Sequence, residues 1–330
     1  MPIINDDAQH DPNKILPIDY DWAREYYENG VNNNWVPEEI PMADDVRQWE
    51  NDELTDAERQ LVEWNLGFFS TAESLTANNL VLAVYDYVTA PECRQYLLRQ
   101  AYEEAIHTDT FIYCCDSLGF DPDYLYGMYD RIPAIEAKDE FVVDLTRAID
   151  RPDFTIETDA DVRAFLRDLV GFYVIMEGIF FYAGFAMMLA LKRRGKMVGV
   201  GEQFEYIMRD ESLHLNFGVD LINTIREENP GVWTDAFEAE IADLIEEAVA
   251  LESAYAEEAC PPDLLGMSAE GFVEYVEYVA DRRLTQLGMA EQFGTENPFP
   301  WMSEATDLAR EANFFERQVT EYQSGGSLDW

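Results

Sequence analysis

One stretch of the chain, residues 169–191, limits the possible folds more than any other feature of the sequence. These 23 residues carry a single charged side chain, Glu177, and charged residues border the stretch on both sides. An apolar segment of this length can be a membrane-spanning helix or the buried central helix of a large bundle. No second segment of this kind follows, and the rest of the chain is strongly polar. We therefore expect a buried core helix and no association with a membrane.

The rest of the chain has the pattern of a helical protein. Apolar residues recur at intervals of three and four, and capping signals (Thr55-x-x-Glu58, Thr89-x-x-Glu92 and Thr158-x-x-Asp161) precede three of the apolar runs. The predicted helices span about residues 57–87, 89–118, 132–149, 158–194, 201–228, 234–258 and 268–287. We predict one all-α domain over residues 1–318, with an irregular segment at residues 1–50 and a flexible tail at residues 319–330.

The charge balance excludes some classes of function. The chain has 67 acidic and 22 basic residues, a formal net charge of -45, and 48% hydrophobic residues. The hydrophobic content excludes an intrinsically disordered protein, and the acidity argues against binding to nucleic acid. Only four of the basic residues are lysine. This composition resembles that of proteins from a salt-saturated cytoplasm, where the Debye length is about 3 Å or less. The alternative, a docking face for a basic partner, fits less well because the acidic residues spread over the whole chain.

The cysteines and the N-terminus indicate a cytoplasmic protein. Four cysteines in a chain of 330 residues do not form a disulfide framework, and two of them, Cys114 and Cys115, are adjacent. The first residues show no basic region followed by an apolar stretch, so we expect no signal peptide.

Two of the three histidines occur in the same local pattern. Glu104 precedes His107 by three residues, and Glu211 precedes His214 by three residues. On a helix these positions share one face, about 5–6 Å apart, so that each pair can bind one metal ion. The alternative for each pair is an ordinary surface contact between a glutamate and a histidine.

Two isolated carboxylates favour the metal site. Glu177 lies in the middle of the apolar helix, and Glu73 lies in a second apolar run. A buried ionised carboxylate without a partner costs several kcal/mol, and a metal ion is the partner that this lysine-poor chain favours. Four helices then supply Glu, Glu-x-x-His, Glu and Glu-x-x-His, the ligand set of di-iron and di-manganese proteins of ferritin-like fold. Carboxylates with one imidazole per ion suit iron and manganese better than zinc. The predicted fold is an all-α ferritin-like helical bundle with additional helices.

With these residues the whole chain resembles the small, radical-generating subunit of class I ribonucleotide reductases. The resemblance implies a first metal site of Glu73, Glu104 and His107. It implies a second site of Glu177, Glu211 and His214, with two of the glutamates bridging the ions. It also assigns Phe181 and Phe185 to an apolar pocket around the metals, and it implies activation by O2 and a homodimer.

The resemblance extends to the residues that carry electrons in this family. Trp35, in Trp-Val-Pro-Glu-Glu, matches the family's tryptophan, and Asp210 matches the aspartate that links it to the first-site histidine. The implied relay is His107, Asp210 and Trp35. Tyr322, in the tail, matches the tyrosine that passes the radical to the large subunit, to which the tail binds. The alternatives are a packing role for Trp35, a capping role for Asp210 and no role for Tyr322.

Two positions depart from the common form of the family. The residue four after the first histidine is Phe111, where that form has the radical-bearing tyrosine, and the first ligand is Glu73 instead of aspartate. Both changes resemble subclass Ic, which stores the oxidising equivalent in a high-valent Mn/Fe cluster, with manganese in the first site. Tyr206 matches a tyrosine that injects electrons during activation in this subclass.

Other functions within and outside this family remain open at the level of sequence. A di-iron or di-manganese centre uses the same ligands. A ligand-binding Mn/Fe oxidase of the same superfamily would need a valine–tyrosine cross-link at the positions of Leu75 and Phe172, which cannot form it. Metal storage, or an inactive partner-binding paralogue, would leave the complete relay unexplained.

Overall fold

The long apolar stretch lies at the centre of the protein, as predicted. The computed structural model describes residues 2–4, 15–76, 81–149, 151, 153–260 and 268–302. Within these residues, one helical stretch, Asp159–Arg193, is long and apolar enough to cross a membrane, and its most apolar part is completely buried among the other helices. This long apolar helix is therefore the buried core helix of the bundle. The tail at residues 319–330, with Tyr322, lies outside the described residues.

The described residues contain helices and no β-strand. The helices are α1 (Asp21–Asn32), a 3-10 turn (Pro37–Glu39), α2 (Ala43–Glu50), α3 (Asp56–Leu75), α4 (Val81–Tyr87), α5 (Pro91–Leu118), α6 (Pro122–Leu125), α7 (Pro133–Leu145), α8 (Asp159–Leu169), a π-helix (Val170–Phe180), α9 (Tyr182–Arg193), α10 (Val198–Glu228), α11 (Asp235–Ala259) and α12 (Ala269–Gln286). The π-helix and α9 pack against α10, α3 packs against α5, and α11 packs against α12 and α7. The long helices agree with the predicted spans to within a few residues, apart from the region between α3 and α4, where residues 77–80 are not described.

The predicted helix starts are confirmed at two of three sites. Thr55 with Glu58, and Thr158 with Asp161, form capping boxes in which side chain and backbone bond in both directions. The prediction for Thr89 is wrong, because α5 begins after Ala90 without a side-chain cap. The Thr89 hydroxyl instead donates to the carbonyl oxygen of Ile3 at 2.9 Å, so a tertiary contact replaces the local one.

The prediction that residues 1–50 are irregular is wrong for residues 21–50, which form α1, the 3-10 turn and α2. These helices are short and contain few apolar residues, and helices of that kind depend on tertiary packing more than on their own propensity. Asp45 of α2 is an example of such a tertiary contact. Its carboxylate accepts the backbone N–H groups of Gly199 at 3.0 Å and Val200 at 2.6 Å, and thereby caps the N-terminus of α10.

The change from π- to α-helix after Phe180 is secured by buried cations from other helices. Such a change in hydrogen-bond spacing leaves backbone groups in need of partners outside the helix. Lys138 of α7 donates from Nζ to the carbonyl oxygen of Phe180 at 3.2 Å, and Arg283 of α12 donates from Nε to that of Gly178 at 2.8 Å. Lys138 is fully buried and forms an ion pair of 2.5 Å with Glu252 of α11, which is also fully buried. Burial lowers the pKa of Lys138 and raises the pKa of Glu252 to about 7, and the opposite charges partly offset both effects.

The Lys138–Glu252 pair generates a stability prediction. Lys138→Met leaves a carboxylate without a cation in the core, and we expect the free energy of unfolding to fall by about 3–5 kcal/mol. The double change Lys138→Met with Glu252→Leu removes both charges and should recover most of that loss. Urea denaturation followed by circular dichroism measures both variants. Equal losses in the single and the double variant would contradict the ion-pair interpretation.

Candidate metal centre

The six predicted metal ligands converge in the middle of the bundle. Each of them is completely buried. They come from α3 (Glu73), α5 (Glu104 and His107), the π-helix (Glu177) and α10 (Glu211 and His214). Their ligand atoms form two overlapping groups, Glu73–Glu104–His107–Glu211 and Glu104–Glu177–Glu211–His214, and within each group all atoms lie within 4.8 Å of one another. Glu104 and Glu211 belong to both groups, as bridging ligands of two ions would.

Both histidines point the same nitrogen into the cluster. His107 Nδ1 lies 3.1 Å from Glu211 Oε1, 3.4 Å from Glu73 Oε2 and 3.6 Å from Glu104 Oε2. His214 Nδ1 lies 3.1 Å from Glu104 Oε1 and 3.4 Å from Glu211 Oε2. These atoms are close to one another but are not arranged as hydrogen bonds.

The hydrogen-bond inventory fits a pair of metal ions. Both carboxylate oxygens of Glu73, Glu104 and Glu211 lack a hydrogen-bond partner in the described part of the chain, as does Nδ1 of both His107 and His214. A buried polar atom without a partner is costly, and so many on one cluster are rare in a native protein. Two divalent cations would use these lone pairs as ligands, so the donor set fits a dinuclear centre.

The outer nitrogen of His107 leads to the predicted relay. His107 Nε2 lies 3.4 Å from Asp210 Oδ2, and the same oxygen accepts the indole N–H of Trp35 at 2.7 Å. Tyr206 stacks on Trp35 with 5.1 Å between ring centroids and an interplanar angle of 25°. Arg209 donates from Nε to Asp210 Oδ1 at 3.2 Å. The structure thus brings Trp35, Asp210 and Tyr206 together beside His107.

The outer nitrogen of His214 leads to a residue that the sequence interpretation missed. His214 Nε2 lies 2.9 Å from Glu103 Oε2, and Arg99 binds the other oxygen of Glu103 at 3.0 Å. Glu103 directly precedes Glu104, just as Asp210 directly precedes Glu211. This repeated acidic residue was the signal in the sequence that could have indicated a role for Glu103. Gln100, also missed, donates to Glu177 Oε1 at 3.1 Å.

An aromatic cluster flanks the centre. Phe111 is completely buried, 6.0 Å from the Phe69 ring and 5.9 Å from the Phe204 ring. Phe181 and Phe185 pack on the same Phe69 ring at 4.8 Å and 5.3 Å. Phe111 lies one helical turn after a ligating histidine and Phe181 one turn after Glu177, so the predicted pocket residues form one apolar group with Phe111.

The electrostatics of the cluster follow from its burial. Burial raises the pKa values of Glu73 and Glu177 well above their ordinary range. Burial also opposes ionisation of Glu104, but the attraction of the two nearby histidines outweighs it and lowers the pKa of Glu104. For His107 and His214 burial opposes the charged form, yet the surrounding carboxylates outweigh it and raise the pKa of each imidazole well above its ordinary value. Protons and divalent cations therefore compete for the same atoms.

Fold and site together define a dinuclear metal-carboxylate protein of ferritin-like fold. The family described as ribonucleotide reductase, small chain, matches residues 12–298. Ribonucleoside-diphosphate reductase subunit beta of Chlamydia pneumoniae is 52% identical over 322 residues, which cover 98% of this chain and 93% of that protein. Ribonucleoside-diphosphate reductase subunit M2 of Homo sapiens is 30% identical over 317 residues, with coverage of 95% and 76%. The structure of the ribonucleotide reductase R2 subunit from Clostridium botulinum matches with a TM-score of 0.82 at 27% identity and covers 93% of this chain and 94% of that one.

The chain therefore belongs to the ribonucleotide reductase small-chain family. The predicted fold class and the predicted function, the small subunit of a ribonucleoside-diphosphate reductase, are confirmed. The centre of the bundle is the dinuclear metal site of this subunit.

The competition between protons and cations generates a pH prediction. Because the pKa values of His107 and His214 are raised, a divalent cation has to displace protons from them at neutral pH. We expect Mn(II) affinity to fall as the pH is lowered from 8 to 6, by about tenfold per pH unit for each proton displaced. Isothermal titration calorimetry in buffers of different ionisation enthalpy measures the proton release. An affinity independent of pH over this range would contradict the prediction.

Proposed function

We propose that this small subunit works with a Mn/Fe centre and keeps its oxidising equivalent on the metals. The observation that carries the proposal is Phe111. It occupies the position of the radical-bearing tyrosine in the resemblance described above, and it is buried among Phe69 and Phe204. A phenyl ring has no O–H bond to break, so this position cannot hold a tyrosyl radical.

Two other buried tyrosines border the second metal site, and neither is suited to replace the missing one. Oxidation of a tyrosine at neutral pH requires that its phenolic proton leave. The Tyr173 hydroxyl donates to the amide oxygen of Gln100 at 3.1 Å, and an amide is a poor base. The Tyr96 hydroxyl has no hydrogen-bond partner in the described part of the chain. Burial raises the pKa values of both phenols well above their ordinary range. These surroundings support storage of the oxidising equivalent on the metals.

The ligand set supports the proposed metals. When bound, a Mn/Fe pair supplies a strong one-electron oxidant after its reaction with O2. Glu73, Glu104 and His107 would hold manganese, and Glu177, Glu211 and His214 would hold iron, with Glu104 and Glu211 between them. The apolar cluster of Phe111, Phe181 and Phe185 excludes water from that side of the site.

We further propose that Asp210 and Trp35 conduct an electron towards His107 from outside the bundle. Hydrogen bonds from His107 and Trp35 and the charge of Arg209 outweigh the cost of burial and lower the pKa of Asp210. The carboxylate therefore stays ionised, and it can hold the indole N–H and the imidazole N–H at once. Tyr206, stacked on Trp35, would deliver electrons to the same path during activation.

The C-terminal tail and the acidic composition bear on the partners and location of the subunit. The tail at residues 319–330, with Tyr322, would bind the large subunit and pass the radical to it. A homodimer in the cytoplasm is the expected assembly, and a protein of similar fold, the ribonucleotide reductase Rnr4 of Saccharomyces cerevisiae, is described as a homodimer. The acidic, lysine-poor composition supports a cytoplasm of high salt.

Metal loading tests the Mn/Fe proposal. We expect protein loaded with Mn(II) and Fe(II) and exposed to O2 to contain about one ion of each metal per chain, to show a coupled Mn/Fe EPR signal and to reduce ribonucleotides with its large subunit. Protein loaded with iron alone should be much less active. Full activity with two iron ions, or with two manganese ions, would contradict the proposed metals and leave the fold and family unaffected.

A conservative change at Trp35 tests the relay. Trp35→Phe keeps an aromatic ring against Tyr206 but removes the N–H that binds Asp210. We expect turnover with the large subunit to fall to background while metal content stays unchanged. Trp233→Phe is the matched control, because Trp233 donates its indole N–H to Glu238 at 3.0 Å away from the centre. Undiminished turnover in Trp35→Phe would show that the relay is wrong.

A further inference from the structure

The two Glu-x-x-His motifs are linked to each other by a crossed pair of contacts. Each motif is preceded by an acidic residue, Glu103 in α5 and Asp210 in α10. Each acid contacts the histidine of the other helix. Asp210 Oδ2 lies 3.4 Å from His107 Nε2, and Glu103 Oε2 lies 2.9 Å from His214 Nε2. The acid of one helix therefore orients the metal ligand of the other.

Each acid is held in turn by an arginine. Arg99 Nε binds Glu103 Oε1 at 3.0 Å, one helical turn earlier on α5. Arg209 binds Asp210 Oδ1 through Nε at 3.2 Å and Nη2 at 3.1 Å. The side chains of Glu103 and Asp210 are 2% and 1% exposed, so both contacts lie in surroundings where charge pairs are weakly screened.

Both arginines are anchored on the same turn. Arg99 donates from Nη1 to Asn34 Oδ1 at 3.1 Å, and Arg209 donates from Nη2 to the carbonyl oxygen of Asn33. This turn follows α1 and immediately precedes Trp35. The N-terminal region therefore supports both histidines.

The approach of α1 to Glu103 is close. A Cβ atom at Gly30 would lie 2.9 Å from Glu103 Oε1 and 3.0 Å from Arg99 Cγ. A larger residue at this point of α1 would have to push the side chain of Glu103 or of Arg99 aside. The close approach of α1 therefore limits the room that the Glu103–Arg99 pair has.

We propose that Glu103, held by Arg99, is the positioning residue of the second metal site. Its carboxylate accepts the Nε2–H of His214, which fixes the ring and leaves Nδ1 as the metal ligand. In sequence Glu103 neighbours Glu104 and lies near His107, so its position in the chain alone would assign it to the first site. The crossed contacts assign it to the second. The proposal depends on the dinuclear site and not on which metals occupy it.

The experiment separates the two sites by removing a ligand that only one of them uses. Glu73→Ala removes a ligand of the first site and keeps the second site complete, and Glu177→Ala does the reverse. Mn(II) binding to each is measured from the EPR signal of free Mn(II). We expect Glu103→Gln to weaken binding roughly 10–100-fold in the Glu73→Ala chain and to have little effect in the Glu177→Ala chain. Asp210→Asn should show the opposite selectivity.

Equal losses at both sites, a loss confined to the first site, or no loss would overturn the proposal. Absence of Mn(II) binding by the unmodified protein would contradict the metal centre itself, which distinguishes the two failures.

A less disruptive variant tests the same role with a lower risk that the protein misfolds. Arg99→Gln keeps the carboxylate of Glu103 but removes its anchor, and we expect a smaller loss with the same selectivity for the second site. Arg24→Gln, which breaks the exposed Arg24–Glu28 pair on α1, is the matched control and should leave Mn(II) binding unchanged at both sites. Thermal unfolding of each variant shows whether it is folded. A loss in Arg24→Gln as large as in Arg99→Gln would show a general effect of α1 and overturn the specific role of Arg99.

Discussion

Burial of four carboxylates in one apolar core is the constraint on which the rest of the structure depends. Glu73, Glu104, Glu177 and Glu211 are completely buried, and repulsion among ionised groups at this separation is strong where the dielectric constant is low. No lysine or arginine in the described residues forms an ion pair with any of them, and two metal ions bound by the overlapping groups would supply the compensating charge. The bundle therefore has to be rigid around a site whose own ligands repel one another.

Rigidity comes from contacts between helices and not from the ligand-bearing helices alone. The π-helix that carries Glu177 consists largely of apolar residues, and its last carbonyl groups are held by Lys138 of α7 and Arg283 of α12. The start of α10, which carries the second Glu-x-x-His motif, is capped by Asp45 of α2. Buried charged side chains thus bind backbone groups at both of these places. Lys138 is also paired with Glu252, whereas Arg283 and Asp45 are held by hydrogen bonds.

The sequence was sufficient to predict the bundle and the convergence of six residues that could bind metal, because both leave local signals. A lone glutamate in 23 apolar residues and a Glu-x-x-His spacing need no knowledge of the partner helix. The helices at residues 21–50, the uncapped start of α5 after Ala90 and the role of Glu103 could not be predicted in this way. Each depends on contacts between residues far apart in the chain, such as Glu103 with His214, and no spacing rule encodes such contacts.

The two metal sites differ in their surroundings more than in their ligands. Each site offers one imidazole and carboxylates, and two of the carboxylates are shared, so the ligands alone distinguish the ions poorly. The outer contacts are different, because Asp210 also binds the indole of Trp35, whereas Glu103 binds Arg99 and no other side chain besides His214 among the described residues. Asp210 thus connects His107 to the stacked rings of Trp35 and Tyr206, the side on which we propose that the electron travels, whereas Glu103 connects His214 to Arg99. The structural difference between the two sites therefore lies in Asp210 and Glu103, each one position before a glutamate that both ligand groups share.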